Sequence, residues 1–214
     1  MYAPIMSEQN MKLYYTPGAC SMAAHIVLAE SGVPFTTTRV NLKDKTTETG
    51  EDYNQINPKG YVPCVRLDNG ALIGENTALL GYLGELRPTT GLMPPAGTIE
   101  NYRVREWLGF VSSEIHKNCS PFFRPNTPEA TLEAQREILR KRLTYLEGEL
   151  AGKSYLTGQA FTSADAYLFV VLNWFGHVGI DLGAYPNVKA YQARVAARPA
   201  VQQVMKDEGL LKAA

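Results

Sequence analysis

Cys20 stands where a short apolar run, Leu13-Tyr14-Tyr15, breaks at Pro17-Gly18 and a helical pattern of Met22, Ala23, Ile26, Val27 and Ala29 begins. A thiol at the first turn of a helix faces free backbone N–H groups and the positive end of the helix dipole. Both favour the thiolate, which is the nucleophilic form. The ordinary alternative is a small buried hydrophobe at a helix start. Cys20-Ser21-Met22-Ala23 lacks a second cysteine, so the thiol works alone. It can form a mixed disulfide with a small thiol but no vicinal disulfide of its own. Cys64, in an apolar strand, and Cys119, at a helix end, read as packing residues.

Three further groups could act with such a thiol. Val62-Pro63 precedes a strand and is a candidate cis peptide, the alternative being a trans proline at a strand start. In a thioredoxin-like unit a proline at this point lies opposite the active cysteine, where the backbone before it can pair with a peptide-like ligand. Glu75-Asn76 opens a helix, a place that attracts ligand carboxylates. Asn76 can add a side-chain hydrogen bond and Glu75 can accept one from an ammonium, so an α-amino acid suits the pair; simple helix capping is the alternative. His116 falls more than about 100° from the apolar stripe of its helix, at 100° per residue, with Gly109, Ser112 and Ser113 beside it. Small neighbours leave a groove there; a surface histidine is the alternative. His25 and His177 read as structural.

The elements that must position these groups follow from periodicity and turn signals. A strand over Lys12–Tyr15, a helix over Cys20–Ser31 and a strand over Phe35–Val40 come first. A polar stretch with one short helix follows. Val62–Leu67 and Ala71–Ile73 form a hairpin around Asp68-Asn69-Gly70, and a helix covers Glu75–Glu85. This is a small α/β unit over residues 11–87. Residues 88–96, rich in proline and glycine, read as a linker. Residues 97–211 read as all-helical, with helices over Ile99–Asn118, Pro128–Ala151, Thr162–Val178, Pro186–Ala197 and Pro199–Glu208. Thr162-Ser163-Ala164-Asp165 is a capping motif at the start of a buried helix.

The chain has 214 residues, 45% of them hydrophobic, enough for a sizeable core. Its 21 basic and 21 acidic residues balance, which argues against a nucleic-acid footprint. Its three cysteines make no disulfide framework and suit a reducing cytoplasm. No Cys or His pair has metal-ligand spacing, so no metal is expected. No apolar run approaches the ~20 residues of a membrane span. Met1–Asn10 lacks the order of a signal peptide and reads as a leader without function.

Four segments together resemble one family: Lys12–Ser21, Asn57–Pro63, Glu114–Lys117 and Thr162–Phe169. In order and spacing, from Met11 to Leu210, the chain is similar to the bacterial beta-class glutathione S-transferases, enzymes of detoxification. The resemblance implies a thioredoxin-like N-terminal domain, an all-helical C-terminal domain and a homodimer. It implies glutathione as co-substrate, lying on the N-terminal domain. The family's cysteine maps to Cys20 and its neighbouring histidine to His116. The backbone pairing with the cysteinyl unit maps to Val62, beside Tyr61, and the glutamate holding the γ-glutamyl end maps to Glu75. Lys45 matches a lysine that reaches glutathione, and Ser113 falls where a partner subunit approaches. Two departures, Asn76 for serine or glycine and Gly109 for asparagine, predict weaker glutathione binding.

Three functions are open, in this order. The first is conjugation of glutathione to small hydrophobic electrophiles, lying against helical-domain residues such as Phe110, Phe122, Phe123, Trp174 and Phe175. The second is monothiol exchange of glutathione mixed disulfides. The third is a non-catalytic carrier of hydrophobic ligands.

Overall fold

The computed structural model describes residues 11–211, so the expected leader over Met1–Asn10 lies outside the described residues. Strand β1 (Met11–Tyr15) is central, and its buried side chains enter a core on each face. Met11, Leu13 and Tyr15 enter the main core, while Tyr14 on the other face joins a smaller cluster with Val40, Tyr53, Ile56, Val62 and Cys64.

Helix α1 (Met22–Ser31) follows, then strands β2 (Phe35–Asn41) and β3 (Thr46–Thr47), helix α2 (Tyr53–Ile56), strands β4 (Cys64–Arg66) and β5 (Leu72–Gly74), and helix α3 (Asn76–Glu85). The sheet order is β3-β2-β1-β4-β5. β1 runs parallel to β2 and antiparallel to β4, the arrangement of a thioredoxin-like unit. The predicted hairpin turn is present, with Gly70 at φ 81°. Edge strand β3, of two residues, is too short to carry a periodicity.

The helical part comprises α4 (Ile99–Phe110), α5 (Lys117–Cys119), α6 (Glu129–Glu149), α7 (Ser163–Leu172), α8 (Phe175–Val178), α9 (Pro186–Ala196) and α10 (Pro199–Asp207). Two expected helices are interrupted. Between α4 and α5 the chain is π-helical over Val111–His116, so the wheel drawn at 100° per residue fails there. The segment expected to run to Val178 breaks after Leu172, and Trp174 then donates its indole N–H to the Gly18 carbonyl at 2.9 Å. The capping motif before α7 is formed: Asp165 accepts the Thr162 N–H at 2.8 Å. Helix α1 packs against α3 and also against α7 and α10, which joins the two parts of the chain around it.

Candidate active site

The start of α1, the loop before β4, the N-terminus of α3 and the π-helical stretch converge on a cleft of about 490 Å³. Cys20, Tyr61, Val62, Glu75, Asn76 and His116 all line it. The sequence reading therefore brought six of its eight site residues to one place.

Cys20 precedes the helix rather than opening it, since α1 begins at Met22 with Ser21 as its cap. The preceding turn is held from two sides. The Gly18 N–H donates to Glu208 Oε2 at 2.8 Å, and the Gly18 carbonyl takes the Trp174 indole N–H. Glu208 Oε1 in turn meets His25 Nδ1 at 2.9 Å, both side chains being buried. His25 is thus structural, as expected.

The Val62-Pro63 bond is cis. The Cys20 Sγ–H donates to the Val62 carbonyl at 3.2 Å. The Tyr61 carbonyl beside it accepts from Asn57 Nδ2 at 2.8 Å and from the Tyr53 hydroxyl at 3.1 Å, which pins the loop.

The helix start that favours a thiolate at Cys20 is opposed by desolvation. Burial pushes its thiol up to about 12, and the Glu75 carboxylate adds to the shift; the local backbone N–H groups oppose it without winning. Desolvation of the charged form outweighs the helix start. In this state Cys20 is a neutral hydrogen-bond donor. Cys64 and Cys119 are buried packing residues, as expected, and burial raises both thiols.

Glu75 adopts φ 63°, a left-handed conformation that costs a side-chain-bearing residue on the order of 1 kcal/mol. It holds a carboxylate at the N-terminus of α3. Oε1 accepts from Lys59 Nζ at 2.6 Å and from the Tyr61 hydroxyl at 2.8 Å. The Lys59 hydrogen bond, then that of Tyr61, keeps the carboxyl below its usual range, so it is ionised at neutral pH. Asn76 is buried and donates its side-chain N–H to the Cys20 carbonyl at 3.1 Å, while its Oδ1 has no partner among the described residues. Asn76 therefore braces Cys20.

His116 is half-buried. Its Nδ1 lies 2.6 Å from the Tyr167 hydroxyl, and its ring meets the Trp174 ring at 5.0 Å. Burial, with Lys117 adding and Glu75 opposing, lowers its pKa to about 4, so it is neutral at pH 7. Ser112 shares the cleft, whereas Gly109 and Ser113 are exposed and the Ser113 hydroxyl donates to the Gly109 carbonyl at 3.1 Å.

Ser113 and Lys45 are the two site residues that do not line the cleft. Lys45 Nζ donates to the Gly60 carbonyl at 2.6 Å. Among the aromatic residues expected on the electrophile side, Phe123 packs on Trp174 at 5.4 Å, Phe175 is buried core, and Phe110 belongs to a separate cavity of about 660 Å³ beside Trp107 and Tyr145. Sequence reasoning missed Tyr167, which lay inside a quoted motif but was read only as buried helix. It also missed Lys117 and Arg124, polar residues of the cleft wall with no periodic signal. Among the described residues no group of three or more His, Cys, Asp or Glu is placed to hold a metal ion, and no helix is long and apolar enough to cross a membrane.

Residues 18–86 match the family described as Glutathione S-transferase, N-terminal domain, and residues 110–199 that described as Glutathione S-transferase, C-terminal domain. Glutathione S-transferase GstA of Escherichia coli O157:H7 is 44% identical, over 94% of this chain and 100% of its own. The chain belongs to the glutathione S-transferase family. Two solved structures sharpen the placement. A sphingomonad glutathione S-transferase complexed with glutathione is 44% identical with a TM-score of 0.90, over 94% of this chain and 100% of that one. A bacterial beta-class glutathione S-transferase from Sphingomonas chungbukensis is 43% identical with a TM-score of 0.90, again over 94% and 100%. The cleft beside the cis-proline is where Cys20, Glu75, Asn76 and His116 gather.

Proposed function

We propose that this glutathione S-transferase joins the sulfur of glutathione to small hydrophobic electrophiles, with Cys20 and His116 as donors to that sulfur. The observation that carries the reading is the state of Cys20. A half-buried thiol pushed up to about 12 and already donating a hydrogen bond is a poor nucleophile at neutral pH, but a good donor to another sulfur.

Ionised Glu75 takes the γ-glutamyl ammonium, and the Val62 backbone pairs with the cysteinyl unit. Tyr61 orients Glu75, and Asn76 holds the Cys20 segment. The glutathione thiol releases its proton to solvent. The Cys20 S–H and His116 then stabilise the resulting thiolate, whose lone pair attacks the electrophilic carbon. The S–C bond forms as the leaving group departs with its electron pair, or, in an addition, as the neighbouring carbon gains a proton.

The same reading divides the chain into a glutathione-binding domain over 11–87, a linker over 88–96 and a helical domain over 97–211. It places the enzyme in the cytoplasm as a homodimer, with exposed Ser113 toward the partner subunit. Lys45 joins the ligand by leaving the Gly60 carbonyl.

The test is conjugation of glutathione to an activated chloroarene, followed by thioether absorbance. Cys20→Ala should retain turnover at a reduced rate. Complete loss in Cys20→Ala with glutathione still bound would assign the nucleophile to Cys20. Exchange of mixed disulfides faster than conjugation in the native protein would overturn the ranking.

A further inference from the structure

We propose that Tyr167 is a positioning residue that decides which nitrogen of His116 carries the proton, presenting Nε2–H as a fixed donor to the cleft. The inference rests on the proposed glutathione reading only for its kinetic consequence; the tautomer itself follows from hydrogen-bond counting.

A phenolic oxygen has one proton to give and two lone pairs to fill. Among the described residues, the Tyr167 hydroxyl has one partner at hydrogen-bond distance, His116 Nδ1 at 2.6 Å. Tyr167 is 1% exposed, so its hydroxyl must find its partner within the protein. If Nδ1–H donated to the phenol instead, the phenol's own proton would be left buried with no acceptor, a costly arrangement. Tyr167 therefore donates and Nδ1 accepts. A neutral imidazole that accepts at Nδ1 carries its proton on Nε2.

The groups around the ring support a neutral imidazole. Lys117 from its own segment repels a second positive charge, and the Trp174 ring edge at 5.0 Å desolvates it. Glu75 at the start of α3 is the group that favours the imidazolium. On the Tyr167 side the facing groups are Cys20 and the same Glu75. A histidine locked in this form is no base for the glutathione thiol. It is a permanent donor whose strength does not change across neutral pH, so the pH dependence of conjugation reports the glutathione sulfur alone.

The experiment is ¹⁵N NMR of the ligand-free native protein labelled at histidine, with His116 assigned by its loss in His116→Asn. The expected result is the Nε2–H tautomer of His116 from pH 8 down to about pH 5. An Nδ1–H tautomer, or an imidazolium near neutrality, overturns the proposal. In Tyr167→Phe the tautomers should mix. The inflection of kcat/KM against pH should then move up by about one unit, a roughly tenfold loss of thiolate, while KM for glutathione changes less than about twofold. A shift of tautomer without any shift of the inflection refutes the kinetic role. Should Tyr167→Phe fail to fold, the native protein decides by itself, since an Nδ1–H tautomer of His116 there overturns the proposal. A native protein that shows the Nε2–H form yet never conjugates glutathione would sink the proposed function and leave the tautomer assignment standing.

Discussion

Replacing Glu208 by alanine should loosen the turn that carries Cys20 and destabilise the whole chain. The carboxylate is fully buried, with Oε2 on the Gly18 N–H at 2.8 Å and Oε1 on His25 Nδ1 at 2.9 Å. Removing it strands two buried groups. An orphaned buried polar group costs about 1–3 kcal/mol, and two lose their partner here, so the expected penalty is about 2–6 kcal/mol. For a chain of this size, ~1 kcal/mol corresponds to about 2–4 °C, so Tm should fall by roughly 10 °C. Gly18 sits at φ 69° two residues before Cys20, and losing its anchor should also raise KM for glutathione. Glu208→Gln keeps an oxygen for Gly18 and should recover about half of the stability. Thermal unfolding by circular dichroism reads all three proteins. A Glu208→Ala Tm within about 2 °C of the native value would refute the claim that this carboxylate holds the turn.

Three other outcomes follow from the same geometry. Cys20, with its thiol near 12, should react with iodoacetamide at pH 7.4 at least about a hundred times more slowly than free glutathione, as read by mass spectrometry of the adduct; equal rates would mean an accessible thiolate. Asp165→Ala removes the buried acceptor of the Leu156 and Thr162 N–H groups and should cost about 2–4 kcal/mol in urea unfolding, whereas a loss under about 0.5 kcal/mol would mean the α7 cap is dispensable. His116 has a folded pKa near 4 against 6.5, so the unfolded chain binds the proton more readily between those values. Its contribution is therefore whole above pH 6.5 and is lost as pH falls toward 4. It amounts to about 3 kcal/mol, and His116→Asn should flatten that slope; an unchanged slope assigns it to other groups.

Much of the cleft was legible because its markers are local. A strand ending in Pro-Gly before a helix, a proline opening a strand, and Glu-Asn at a helix start each leave a signal within a few residues. What escaped notice depends on distant partners. Tyr167 lies in a helix buried on every face, where periodicity says nothing about which hydroxyl matters. The π-helical turn before His116 has no sequence signature in the pattern of apolar residues, and it moved Ser112 into the cleft and left Ser113 outside. Lys45 has a long side chain whose end is free to take a nearer carbonyl. Desolvation of the Cys20 thiol, which raises its pKa, is a tertiary property, whereas the helix start that suggested a thiolate is a local one.

The central claim is that the reactive sulfur belongs to glutathione and that Cys20 stays a thiol beside it. Glutathione labelled with ¹³C at its cysteinyl β-carbon, bound to protein labelled likewise at cysteine, lets both sulfurs be titrated in one NMR series. The account predicts that bound glutathione becomes a thiolate about two units below the ordinary thiol value of ~8.5, while Cys20 stays protonated through pH 10. A Cys20 that ionises below pH 8 beside a protonated glutathione would contradict it.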